Sequence, residues 1–251
     1  MGTTKIFVHG VPDTPAIWGP LVAALGELDG PVRCPALPGF VDAAPDGFPA
    51  TKEAYTDWLI DYIRAAHAEA GPVDLIGHDW GAVLVLRAAS LVPELVRSWI
   101  VSDAMIDPDY RGHPMARKWN TPLVGELVMA LARPAALAKG LAGAGIPADI
   151  AAHDAETWTR GKKRAILKLY RSADGLRFTG DWIERLADMP KQGIVVWGET
   201  DPYVELHYAE AFAERWAVPL HIERGAGHWA IAERADSIAA RIATFWADIP
   251  A

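Results

Sequence analysis

Five residues, Gly77-His78-Asp79-Trp80-Gly81, put an acid at a corner between a short apolar run and an Ala-rich stretch. The flanking glycines allow a sharp turn without Cβ clashes, and the middle side chain then projects above the strand end. A carboxylate with a reference pKa of about 3.9 is ionised at neutral pH and needs no base to activate it. Attack by such a group on an acyl carbon would make an anhydride, a poor resting intermediate. Attack on an sp³ carbon makes an alkyl ester, so the chemistry implied is opening of an epoxide ring or displacement of a halide. A plain strand-turn-helix corner with an Asp N-cap would use the same residues, so the reading depends on companion groups.

Two later segments supply them. Trp197-Gly198-Glu199-Thr200-Asp201-Pro202 sets an acid after an apolar run, and Gly225-Ala226-Gly227-His228-Trp229 sets a histidine after another. The order is Asp79, Asp201, His228, with gaps of 122 and 27 residues. In that set His228 would draw a proton from the water that attacks the ester, and Asp201 would orient the imidazole and stabilise its cation. Near the start, His9-Gly10-Val11-Pro12 forms a turn that can aim the N–H of Val11 at the same point as the N–H of Trp80, an oxyanion hole. Asp103, in Ser102-Asp103-Ala104, ends a further apolar run and stands as a backup acid.

The elements that must position these groups alternate. Strands are expected at Lys5–His9, Val32–Ala36, Val73–Gly77, Ser98–Ser102, Gly193–Trp197 and Val218–Ile222. Helices are expected at Ile17–Leu28, from Thr51 toward Ala70, at Ala82–Leu91 and at Ile231–Trp246. This is an α/β pattern, a mostly parallel sheet with helices on both faces, and the acids and the histidine fall beyond strand C-termini, where such sheets bind ligands. Between residues 106 and 190 the alternation stops. Ala-rich helical segments such as Leu127–Leu131 and Pro134–Leu141 fill an interval longer than one crossover requires. The expected organisation is a core of residues 1–105 and 191–251, with a helical lid over residues 106–190.

These segments together resemble an α/β-hydrolase of the epoxide hydrolase and haloalkane dehalogenase branch. The resemblance rests on His9-Gly10-Val11-Pro12, the Asp79 elbow, Gly198-Glu199-Thr200-Asp201-Pro202 and Gly227-His228-Trp229, and runs from Ile6 to about Trp246. It implies an α/β-hydrolase fold with a site between core and lid. Family members open with two more strands before the first seen here, so a sheet of about six strands is expected. The resemblance also implies lid tyrosines as proton donors for epoxide opening. Leu167-Lys168-Leu169-Tyr170-Arg171 resembles the segment carrying one donor, Tyr170; the region of the second, Met115 to Trp119, has no tyrosine, and Tyr110 matches no donor motif. For halide displacement the resemblance implies N–H donors instead. Trp80 is placed for that, Val11 stands where some dehalogenases carry Asn, and Trp119, Trp158 or Trp182 could add a lid indole. Fluoroacetate dehalogenases carry Arg where this chain has Trp80.

Composition narrows the partners. The 251 residues carry a net charge of −8, which argues against nucleic acid and against a polybasic membrane-surface protein. A lone cysteine, Cys34, excludes a Cys-rich metal site. The histidines at 67, 113, 153, 207 and 221 show no metal-ligand spacing, so neither metal nor cofactor is expected. Eleven tryptophans against six Phe and six Tyr point to an indole-rich cavity built from Trp80, Trp119, Trp158, Trp182 and Trp229, with Tyr110, for a small apolar organic substrate and water. No leader pattern or apolar span is read, so the expectation is a cytoplasmic enzyme, monomeric or homodimeric. Epoxide hydrolysis to a diol is the leading expectation, haloalkane dehalogenation the alternative, and a non-catalytic binding protein of the same fold the second alternative.

Overall fold

The computed structural model describes residues 2–249. Its strands are β1 (Lys5–Val8), β2 (Val32–Arg33), β3 (Val73–His78), β4 (Val96–Ser102), β5 (Gly193–Gly198) and β6 (Leu220–Glu223). They form one parallel sheet in the order β2-β1-β3-β4-β5-β6. The expected α/β-hydrolase architecture and six-stranded sheet are therefore both present. The order places β3 beside β1, although β2 lies between them in sequence, so the loops leaving β1 and β3 meet at the point where the winding reverses.

The helices are α1 (Gly19–Leu25), α2 (Lys52–Ala70), α3 (Trp80–Leu91), α4 (Pro114–Asn120), α5 (Val124–Leu131), α6 (Pro134–Gly143), α7 (Ala148–Glu156), α8 (Arg160–Ser172), α9 (Asp181–Glu184), α10 (Leu206–Trp216), α11 (Ala230–Glu233) and α12 (Ala235–Ala247). Strand pleating sorts the core into two layers. Ile6, Val8, Leu75, Trp99, Val101, Val195 and Trp197 face one layer, with α2 and α3 residues such as Tyr55, Leu59 and Val83. Phe7, Ile76, Ile100, Ile194 and Val196 face the other, with Trp18, Leu21, Ile238 and Ile242.

Several boundaries differ from expectation for local reasons. The second strand is two residues long, because Pro35 and Pro38 cannot donate to a ladder. The helix expected at 17–28 begins as a 3₁₀ turn at Pro15–Trp18, with Thr14 accepting from Ala16 N–H, and ends at Gly26. The C-terminal helix is interrupted at Arg234. Between β5 and β6 runs α10, which the expected elements lacked. Residues 114–188 form the helices α4 to α9 and a 3₁₀ turn, with no strand among them.

The sharpest constraint lies where α3 meets β1. A Cβ on Gly81 would lie 1.9 Å from the carbonyl oxygen of Val8, an approach only glycine permits. Gly81→Ala should therefore destabilise the fold by about 3 kcal/mol or more, the scale of a core overpacking that cannot relax. Urea unfolding against the parent chain measures this directly.

Candidate active site

Asp79 follows β3 and precedes α3 with φ 50° and ψ −127°. A non-glycine residue in this region costs on the order of 1–3 kcal/mol and is held only by its surroundings. Those surroundings are visible. Ala82 N–H donates to Asp79 O at 2.9 Å, and Asp79 N–H donates to Ser102 O at 3.1 Å. Gly10 lies so close that a Cβ there would fall 2.4 Å from that of Asp79.

The strained corner aims the carboxylate in two directions. Oδ1 accepts from Val11 N–H at 2.7 Å. Oδ2 lies 3.6 Å from His228 Nε2. His228 Nδ1 in turn lies 2.8 Å from Asp201 Oδ2, while Asp201 Oδ1 accepts from Tyr203 N–H at 2.7 Å and Val204 N–H at 3.1 Å. The structure thus brings Asp79, Asp201 and His228 into one chain of contacts and points the Val11 N–H at the elbow acid, with Trp80 the next residue along the turn.

Burial would raise the Asp79 pKa, but the hydrogen bond and charge of His228 override it and hold the group below the usual carboxylate range. For His228 burial acts downward, yet Asp201 and then Asp79 hold the imidazole well above its ordinary value. The resting pair is therefore carboxylate and imidazolium. Neutralising Asp79 would remove one of the charges that raise His228 and return it toward a base.

Asp103 stands beside the triad acid rather than in its place. Its Oδ1 accepts from Gly198 N–H at 2.8 Å, and Ser102 Oγ donates to Oδ2. Burial, and then the Asp201 charge, push its pKa up to about 7. It faces Asp201 as a buried neighbour that gains its proton as pH falls through about 7, while the imidazole hydrogen bond belongs to Asp201.

A cavity of about 270 Å³ opens at Asp79 and His228, lined among others by Val11, Pro12, His113, Met115, Trp119, Leu137, Leu141, Tyr170, Tyr203 and Trp229. Helices of the 114–188 interval contribute much of its wall, facing the loops after β1, β3, β5 and β6. Tyr170 borders this cavity, its ring edge-on to Trp80 and Trp119 at 5.4 and 4.9 Å between centroids. Burial and the Asp79 charge raise its pKa well above normal, so it stays a neutral O–H. The indole N–H groups of Trp80 and Trp119 are buried without a hydrogen-bond partner among the described residues.

Four expected lining residues, Trp80, Trp158, Trp182 and Tyr110, stand outside this cavity. Trp158 donates its N–H to Ala132 O at 3.0 Å and lies under the Lys163 ammonium. Trp182 is held between Phe178 and the cations of Lys52 and Arg87. Both are structural indoles that brace the helical interval, and correct the expectation of a five-tryptophan cavity. Tyr110 donates its hydroxyl to Tyr203 O at 2.8 Å and borders a smaller adjoining cavity with Trp80 and Phe178.

Sequence reading missed three residues here. Asp13, buried after the β1 loop, accepts from Trp229 Nε1 at 3.1 Å and lies 3.3 Å from His78 Nδ1. His78 Nε2 bonds His228 O at 2.9 Å, so Asp13 ties the elbow to the histidine loop. His113 caps α4 by accepting Ala116 N–H on Nδ1 at 3.2 Å. Burial lowers its pKa to about 4, so the ring, which borders the cavity, is neutral at pH 7, and with Nδ1 accepting its hydrogen sits on Nε2. Tyr203 stacks edge-on against His228 at 4.9 Å. Only Asp13 had a sequence signal, being the acid that follows His9-Gly10-Val11-Pro12.

Two stability predictions follow from these contacts. Asp13→Ala leaves Trp229 N–H and His78 facing an empty acceptor site and should cost about 1–3 kcal/mol in urea unfolding. Asp103 binds its proton more tightly folded than unfolded, so between its unfolded pKa and about 7 rising pH removes stability. Asp103→Asn abolishes that loss; it should raise Tm by about 2–4 °C at pH 8 and change it little at pH 4, read by thermal scans at both values.

The sequence matches the alpha/beta hydrolase family over residues 6–241. No curated protein matches it. Similar solved structures include an epoxide hydrolase from Vigna radiata, 18% identical with a TM-score of 0.76, covering 98% of this chain and 92% of that one. Haloalkane dehalogenase DbeA from Bradyrhizobium elkani USDA94 is 22% identical with a TM-score of 0.76, over 98% and 91%. A thermophilic esterase from Thermogutta terrifontis is 19% identical with a TM-score of 0.77, over 99% and 91%. These three likenesses are of fold and favour none of the named activities. Because the family match runs unbroken from β1 through the elbow and both later loops into α12, this chain belongs to the alpha/beta hydrolase family.

Proposed function

We propose that the chain is a hydrolase with Asp79 as nucleophile, opening apolar epoxides to diols through an alkyl ester. The observation that carries this reading is the division of labour on one carboxylate. Oδ1 is occupied by the Val11 N–H at 2.7 Å, while Oδ2 faces an apolar cavity beside His228. That arrangement suits attack by Oδ2 on carbon and later stabilisation of an oxyanion on Oδ1.

In the first step Oδ2 bonds to a ring carbon, the carbon–oxygen bond of the epoxide breaks, and the alkoxide takes the Tyr170 proton. The neutral Nε2–H of His113 supplies a second donor toward that oxygen, in place of the absent second tyrosine. Asp79 is now an uncharged ester, so His228 loses a charge that raised its pKa; its proton passes through water to the Tyr170 phenolate, restoring that hydroxyl and leaving a neutral imidazole able to act as base. Water attacks the ester carbonyl and passes its proton to His228, and the oxyanion on Oδ1 rests on the Val11 and Trp80 N–H groups. Collapse breaks the ester bond, the departing alcohol oxygen takes the proton back from His228, and the new Asp79 carboxyl then yields its proton to His228, restoring the resting pair. The α4–α8 helices act in this scheme as the lid that excludes bulk water. No cofactor enters the scheme.

Haloalkane dehalogenation is the second reading, and a specific observation favours it. The unpartnered indole N–H groups of Trp80 and Trp119 are donors suited to a departing halide, which needs no acid. In that reaction Asp79 displaces halide from carbon and the ester hydrolyses as above.

A panel of styrene-oxide-type epoxides and short bromoalkanes, assayed for diol and for bromide, separates the two. Diol without bromide supports the leading reading, bromide the second, and turnover of neither supports a binding role. Asp79→Asn should lower kcat by about 10³-fold or more, as expected for a lost nucleophile. His228→Gln should accumulate the ester, seen as an intact-mass increase equal to the substrate. Tyr170→Phe should lower epoxide kcat by about 10²-fold and leave any bromide release near parent level.

A further inference from the structure

The helical interval carries a feature that this chemistry does not use. Five of the seven large apolar side chains exposed on the described surface are Met115, Leu123, Val124, Leu127 and Leu131, all between the start of α4 and the end of α5. Leu123, Leu127 and Leu131 recur every fourth residue and so share one helix face. They are 82%, 59% and 70% exposed, while Gly125 and Met129 on the other side are buried. A contiguous stripe of this kind marks an interaction surface.

Its surroundings are cationic. Lys118 stands exposed one turn ahead of the stripe, and Arg133 stands exposed just behind it. At that same end Lys163 donates to Ala132 O at 2.9 Å. The acid on α5, Glu126, is paired through both oxygens with Arg171 at 2.7 and 2.8 Å. Residues 114–172 hold ten Lys and Arg against four Asp and Glu, although the whole chain holds 24 against 32. That stretch of sequence is basic although the whole chain is acidic; within it Lys162 is buried and Arg171 is paired with Glu126, which leaves Lys118 and Arg133 as the exposed cations that flank the stripe in sequence.

We infer that α5 docks on an anionic lipid surface, its leucines entering the acyl boundary and the flanking cations meeting the headgroups. Symmetric pairing with a second copy through α5 would bring Lys118 and Arg133 against like charges. Met115, on the helix packed against α5, is exposed and also borders the cavity, which sets the cavity mouth beside the docking face.

Co-sedimentation of the full chain with phosphatidylcholine vesicles, with and without half phosphatidylglycerol, tests this independently of any activity. Binding should require the anionic lipid and weaken by about ten-fold when NaCl rises from 0.05 to 0.5 M. Leu123→Gln/Leu127→Gln/Leu131→Gln and, separately, Arg133→Glu/Lys118→Glu should each lower binding by about five-fold or more with an unchanged Tm. Absence of sedimentation with the anionic vesicles, equal binding by the triple variant, or a lipid-free dimer that the triple variant dissolves would each overturn the inference.

Discussion

Everything at the site depends on how close the backbone after β3 comes to the end of β1. Gly81 sits against the Val8 carbonyl and Gly10 sits against the Asp79 side chain, at separations where any Cβ would collide. That approach lets Asp79 hold a positive φ, lets the Val11 N–H reach its carboxylate, and seats the first turn of α3 over the sheet. The strain at Asp79 is sustained by neighbours that are themselves rigid, since β1 and β3 are buried in full. A looser junction would relax the corner and withdraw the carboxylate from its two sets of partners.

Around this corner the protein handles four carboxylates, three buried and Asp79 half-buried, with two imidazoles. Asp79 and Asp201 share His228, Asp13 supports His78, and burial together with the Asp201 charge raises the Asp103 pKa to about 7. Low dielectric makes each arrangement all-or-none: a pair is strongly held or one member gives up its charge. The same coupling lets a change at Asp79 alter the basicity of His228, several ångströms away, without any movement of the backbone.

Charge is also partitioned over the whole molecule. The net acidity belongs to the core segments, while α4 to α8 are basic and α5 is apolar outward. An average over the chain is therefore a poor guide to what one face meets, because screening confines surface electrostatics to about a Debye length, roughly 8–10 Å.

Much of the fold was legible in the sequence. Apolar runs of four to seven residues, each ended by glycine, proline or a polar turn, announce the strands of a parallel sheet because both of its faces are buried. Likewise Asp79, Asp201 and His228 could be named because each follows such a run directly, and strand ends in this fold converge. Lys162, Trp158 and Trp182 show the limit. Their local patterns are those of any half-apolar helix, and only tertiary packing decided that Lys162 is buried at Phe40, that Trp158 and Trp182 brace cations, and that Trp119 turns to the cavity. His113 belongs with them, and although Asp13 follows the His9-Gly10-Val11-Pro12 segment, its pairing with Trp229, 216 residues away, comes only from the fold. Local sequence determined which residues end strands and carry charge; the three-dimensional fold alone decided which buried polar groups find one another, because their partners are set by distance in space.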